Sequence, residues 1–198
     1  MFVKICGTTT EEAVAAAVTA GADAVGFVFA RSPREVSAER ALELAAGIPD
    51  GVLRVAVMHH PTAEHASHVL EVLAPDWLQT DAEDLTGLDV PDHCTVLPVY
   101  RNGRSPAGPA YPGRLLYEGA RSGTGKTADW NAARALAAET DIVLAGGLDA
   151  DNVAEAIDTV RPWGVDVSSG VERERGLKDP AKIAEFIARV RALEDRHA

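Results

Sequence analysis

The chain has 198 residues, 46% hydrophobic and 25% charged, enough for one sizeable globular domain spanning 1–198 and too rich in apolar residues for a disordered segment. No apolar run approaches the length of a membrane-spanning helix. The net charge of -11 excludes a general binder of nucleic acid or of anionic membranes, but not an anionic small molecule held in a local positive pocket. The two cysteines, Cys6 and Cys94, make no disulfide framework. With no signal peptide to be seen, a reducing cytoplasm is the expected compartment.

Short apolar runs alternate with helical periodicity from end to end. Strands are expected at Phe2–Cys6, Ala24–Phe29, Leu53–Met58, Trp77–Thr80, Thr95–Tyr100, Arg114–Glu118, Asp141–Leu144 and Gly164–Ser168. Helices are expected at Thr10–Ala20, Ala38–Gly47, Ala63–Ala74, Trp130–Glu139, Ala150–Val160 and Pro180–Arg196. Ala66, Val69, Leu70, Val72 and Leu73 form one apolar stripe, and Asp179-Pro180 is a helix start. Asp81–Cys94 has only weak helical pattern, and Asn102–Pro109 reads as an irregular loop. The alternation implies a parallel sheet covered by helices, and eight strands suit a compact (β/α)8 TIM barrel of class α/β. An open doubly wound sheet is the alternative. Glycine-rich turns after several separate strands favour the barrel, whose strand ends converge on one mouth.

In such a barrel the active site is built from the loops after the strands. Cys6 ends the first strand and is followed by Gly7 and a threonine-rich helix start. Most free cysteines are small buried hydrophobes, but a thiol at a barrel mouth can be reactive. The turns Ala145-Gly146-Gly147-Leu148 and Val167-Ser168-Ser169-Gly170 end the last two strands and suit a phosphate, because glycines let amides approach an anion closely. Ser122–Thr127 ends like a Walker A loop but lacks its first glycine, Ala120 standing there, and reads as a substrate-covering loop. Arg34, after the second strand, has a planar fork suited to a carboxylate, whereas Arg31 reads as a surface residue. Glu118 ends the sixth strand, where a buried carboxylate is costly unless used or paired. A thiol and a carboxyl across one mouth make a plausible base and acid. His59, His60, His65 and His68 lie close in sequence, but no cysteine or acid nearby completes a ligand set, so no metal is expected.

Together these residues resemble the phosphoribosylanthranilate isomerase family over nearly the whole chain. The carriers are Val3-Lys4-Ile5-Cys6-Gly7, Asp23–Phe29, Ser32-Pro33-Arg34, Gly123-Thr124-Gly125-Lys126 with Asp129-Trp130, Ala145–Leu148 with Asn152-Val153, and Gly164–Glu172 with Gly176, Lys178 and Asp179. The resemblance implies a cofactor-free Amadori rearrangement of a phosphorylated sugar-amine in tryptophan biosynthesis. It implies Cys6 as base, Arg34 as partner of the anthranilate carboxylate, and Gly146, Gly147, Ser169 and Gly170 at the phosphate. Asp166, Ser168 and Asp81 join the substrate contacts. It also implies no regular helix between the fifth and sixth strands. A working thiolate needs a positive setting. Strand alternation is read as sending Lys4 to the opposite face, so Lys4 is not credited with supplying it.

The chain departs from the family at strand ends. The general acid, an Asp in the family, corresponds to Glu118 when counted from Gly123, or to Tyr117 when counted from the Leu115-Leu116 pair. The fourth strand ends Gln79-Thr80-Asp81 where the family has Gln-Leu-His, and the third ends Met58-His59-His60 where it has Phe-Val-Asn. Glu35 follows Arg34 in place of an aromatic. These changes leave two alternatives open: a related isomerase acting on another phosphoribosylated amine, or a phosphosugar-binding relative without turnover. A monomer and a homodimer are equally compatible with the sequence.

Overall fold

The computed structural model describes residues 1–101, 113–119 and 128–197. The loop expected at Asn102–Pro109, with the missing helix it implies, and the Ser122–Thr127 loop lie outside these residues. Eight strands close into a parallel barrel: β1 Phe2–Cys6, β2 Ala24–Val28, β3 Leu53–Val57, β4 Trp77–Asp81, β5 Thr95–Arg101, β6 Arg114–Glu118, β7 Asp141–Leu144 and β8 Gly164–Val167. The open-sheet alternative is thereby excluded, because β8 pairs back onto β1 with Lys4 opposite Asp166. The helices are α1 Glu11–Ala20, α2 Ala38–Ala45, α3 Ala63–Leu73, α4 Trp130–Ala137, α5 Val153–Val160 and α6 Pro180–His197. None of the described helices is long and apolar enough to cross a membrane.

Short polar side chains start the helices, as their sequence positions demand. Thr10, Ser37, Thr62 and Asp129 accept hydrogen bonds from the first-turn amides of α1, α2, α3 and α4. The weak pattern after β4 resolves as a 3₁₀ turn, Ala82–Leu85, too short to cover the barrel as a helix does. A small hairpin, β9 Glu172–Glu174 with β10 Leu177–Lys178, follows β8 and has no counterpart in the expected elements. Its strands are only a few residues long, below what periodicity can reveal.

Alternation along each strand divides the apolar residues into two sets. Val3, Ile5, Leu115, Tyr117 and Ile142 face outward into the layer shared with the helices, while Ala24, Val55, Trp77, Leu97, Val99, Leu116 and Val143 fill the barrel. Phe2 stacks on Trp77 and Trp163 at ring separations of 5.2 and 4.7 Å, closing the end opposite the mouth. Leu116 is fully buried in the interior, two residues before Glu118. Leu116→Ala is expected to cost about 2–5 kcal/mol, as cavity-forming changes do, and to lower the urea midpoint with little change in the denaturant slope.

Candidate active site

Cys6 is the last residue of β1 and points inward. The expectation that Lys4 faces away from it is wrong: residues two apart on a strand share a face. A side-chain carbon built on Gly26 of the neighbouring strand would lie 3.2 Å from Lys4 Nζ and 3.3 Å from Cys6 Sγ, so the absent side chain makes the space in which ammonium and thiol sit together. Lys4 is fully buried and donates to Asp166 Oδ1 at 2.8 Å. Burial pushes the Cys6 thiol above the ordinary range, and Lys4 and Lys178 oppose that push without reversing it. Two lysine side chains thus stand in the field of the Cys6 sulfur. Burial works against the charge on Lys4, but Asp166 and Cys6 outweigh it and raise its pKa.

Asp166 sits one layer below the mouth, engaged with Lys4. Arg34 is buried, and its Nε and Nη2 donate to Glu172 Oε1 and Oε2 at 2.6 and 3.0 Å. Its stem packs on Gly7, just after β1, where a side-chain carbon would come within 2.6 Å of Arg34 Cδ. Among the described residues Nη1 has no hydrogen-bond partner, so one corner of the fork stays open. Lys178, from the unforeseen hairpin, donates to Glu172 Oε1 at 2.9 Å and to the carbonyl and hydroxyl oxygens of Ser168 at 2.9 and 3.1 Å. Burial would raise the Glu172 carboxyl; Arg34 and Lys178 overcome this and hold it at about 2.

Gly146 and Gly147 adopt left-handed backbone at φ 89° and 67°, which glycine accepts without strain. Among the described residues their amides donate no hydrogen bond. Asn152 Nδ2 ties down the Gly147 carbonyl at 2.8 Å, and Asp149 accepts from the amides of Asp151 and Asn152. Gly170 packs against the Leu148 carbonyl so closely that a side-chain carbon there would overlap it, at 2.0 Å. The two glycine turns, Ser168 and Ser169 thus form one continuous rim.

Across the mouth, Glu118 lies on the inward face of β6 with Leu116, and Tyr117 packs outward with the helix-facing core. Of the two positions that sequence counting left open, only Glu118 is inside. Arg101, at the end of β5, pairs with Glu118 at 2.9 Å and also with Asp81. Asp81 in turn faces His59, with Oδ2 and Nδ1 2.7 Å apart. The two strand-end departures at His59 and Asp81 are therefore one contact. Beside it, His60 pairs with Asp84 at 2.7 Å, which corrects the reading that no acid completes a histidine set. His68 is elsewhere, on α3 against Glu39 at 3.2 Å.

Sequence reasoning missed Lys4, Arg101, Glu172 and Lys178. Strand period 2 would have found Lys4. The other three acquire their partners only through barrel closure and the hairpin.

Two outcomes follow. Glu172→Gln leaves Arg34 and Lys178 without a counter-charge and is expected to cost about 3–5 kcal/mol in urea unfolding. In the wild type the Glu172 contribution is complete above about pH 4.3 and fades as pH falls toward about 2, so in the variant stability should depend less on pH across that window. Lys4→Met should raise the pH at which iodoacetamide alkylates Cys6 half-maximally by about one unit or more; an unmoved profile would show that Lys4 does not act on the thiol.

The family model for N-(5'phosphoribosyl)anthranilate (PRA) isomerase matches residues 3–189. The chain is 42% identical over 211 residues to N-(5'-phosphoribosyl)anthranilate isomerase of Halobacterium salinarum, covering 98% of this chain and 97% of that one. The Listeria monocytogenes protein of that name is 40% identical over 215 residues, covering 98% and 100%. Among solved structures, phosphoribosyl anthranilate isomerase from Thermus thermophilus superposes with a TM-score of 0.82 at 30% identity over 98% and 100% of the two chains. A phosphoribosyl anthranilate isomerase in complex with reduced 1-(o-carboxyphenylamino)-1-deoxyribulose 5-phosphate superposes at 0.80 with 29% identity over 97% and 99%. A closed eight-stranded barrel with Cys6 and Glu118 at its mouth, matched along nearly its whole length, belongs to the N-(5'-phosphoribosyl)anthranilate isomerase family.

Proposed function

We propose that this chain catalyses the cofactor-free Amadori rearrangement of N-(5-phosphoribosyl)anthranilate to the 1-deoxyribulose 5-phosphate product of tryptophan biosynthesis. The observation that carries the reading is the inward pair, Cys6 on β1 and Glu118 on β6, set above one barrel interior. Glu118 gives a proton to the furanose ring oxygen, and the ring opens to a protonated Schiff base. Cys6, as thiolate, removes the C2′ proton, and the electron pair of that bond neutralises the iminium to give an enolamine. Tautomerisation yields the ketone. Lys4 and Lys178 supply the positive field that a thiolate needs. Arg101 holds the Glu118 carboxyl, and because Asp81 shares that guanidinium, Arg101 is not committed to Glu118 alone.

Gly146, Gly147, Ser169 and Gly170 take the phosphate, supported by the unpaired amides of the first two. The open Nη1 corner of Arg34 takes the anthranilate carboxylate, while Glu172 fixes the other edge of the fork. Asp81, Asp166 and Ser168 line the same mouth, Asp166 through Lys4. Two unpaired thiols, Cys6 and Cys94, suit a reducing cytoplasm.

A second reading keeps the chemistry and changes the amine. It is favoured by the Asp81 carboxylate, buried at the mouth where the family has a histidine.

The test is turnover of freshly generated phosphoribosylanthranilate, followed by loss of its fluorescence. Cys6→Ala and Glu118→Gln are each expected to lower kcat by about 10²-fold or more. Arg34→Ala should raise KM for this substrate. Absence of turnover by the wild type, with binding of a phosphate analogue retained, would move the reading to another amine or to a binding protein.

A further inference from the structure

Outside the thiol–carboxyl pair, one cluster on the rim takes no part in the proton transfers. His59 and His60, after β3, meet Asp81 and Asp84, which end β4 and enter the following turn. One donor atom from each lies within 4.8 Å of the other three. We infer that these four side chains form a binding site for a divalent transition-metal ion of the zinc class.

The donor set is chemically apt, since two imidazole nitrogens and two carboxylate oxygens match the four-coordinate preference of such ions. An ion centred among atoms this close sits within roughly 3 Å of every donor, so small side-chain rotations bring all four to about 2.0–2.1 Å. The imidazoles are well placed to move, because both are more than half exposed.

Outer contacts hold the carboxylates. Thr80 Oγ1 donates to Asp84 Oδ2 at 3.0 Å, the His60 amide donates to the same oxygen at 2.8 Å, and Arg101 grips Asp81. His60 has φ 48°, a backbone costly for a residue with a side chain, and this turns its ring onto that of His59 at a centroid separation of 4.0 Å.

The cation on Arg101 does not veto the site. It is divided between Asp81 and Glu118, and Asp84 adds a further carboxylate, so these four side chains together are net negative. An ion there ties the loop after β3 to the turn after β4 and competes with Arg101 for Asp81.

The experiment titrates tag-free, chelator-treated protein with cobalt(II), whose visible absorption reports coordination geometry, followed by zinc(II) as competitor. One saturable equivalent of cobalt, displaced by zinc, is expected. His60→Asn keeps the left-handed backbone tolerable and removes the imidazole; Asp84→Asn removes a carboxylate. Each should weaken binding by about tenfold or more, with circular dichroism and thermal melting showing an intact fold and with the metal-free rate of the wild type. The double change His65→Ala with His68→Ala should leave binding unaltered. The proposal is overturned if no saturable equivalent binds, if folded His60→Asn and Asp84→Asn bind as the wild type does, or if the α3 double variant abolishes binding.

Discussion

The buried ion pair between Lys4 and Asp166 is the constraint around which the mouth is organised. It spans the seam where β8 closes onto β1, with the ammonium fully buried and Nζ 2.8 Å from the carboxylate. Desolvating two charges costs several kcal/mol per ion, so the pair is tolerable only while both members remain together. That requirement ties closure of the barrel to the chemistry above it. With the strands in this register, Lys4 lies directly beneath Cys6, and the thiol inherits a field that burial alone would deny it.

Two further charged groupings extend from this centre. On one side Glu172 takes both Arg34 and Lys178, and Lys178 in turn holds Ser168 beside the glycine rim. This makes the orientation of Arg34 a property of the β9–β10 hairpin as well as of its own loop. On the other side Arg101 joins Asp81 to Glu118, with His59 beyond. The proposed base and acid thus each stand on a neighbour whose charge is already shared. Removing one member leaves a buried charge behind, and its effects will spread further than a list of substrate contacts implies.

Much of this was legible in the residues. The strand and helix spans agree with the structure to within about three residues at most ends, since apolar periodicity and caps such as Thr10 and Asp129 are local signals. Cys6, Arg34, Asp81 and Glu118 all occupy the mouth because each follows or ends a barrel strand, and position along a strand is itself sequence information. The misses are of another kind. Lys4 differs from the rest, since residues two apart on a strand share a face and period 2 places it with Cys6. Glu172 and Lys178 stand in a motif and Arg101 ends a strand, but none of them shows its partner in the sequence, because a charge acquires meaning only from the group opposite it. The histidines illustrate this best: no acid adjoins His59 and His60 in the sequence, and the acids that meet them stand at the end of the next strand and in the turn after it.

The sequence by itself determined the alternation of elements, the barrel class, the family and the residues available at each strand end. These depend on spacing along the chain, which hydrophobic burial and local hydrogen bonding read directly. Only the tertiary structure decided which of Tyr117 and Glu118 faces inward, that Lys4 pairs with Asp166, and that Arg34 is braced by Glu172. Those outcomes depend on strand register and on barrel closure, which bring together charges such as Lys4 and Asp166, 162 positions apart in the chain. Coulombic and hydrogen-bond partnerships act through distances in space, and the linear order of residues does not contain those distances.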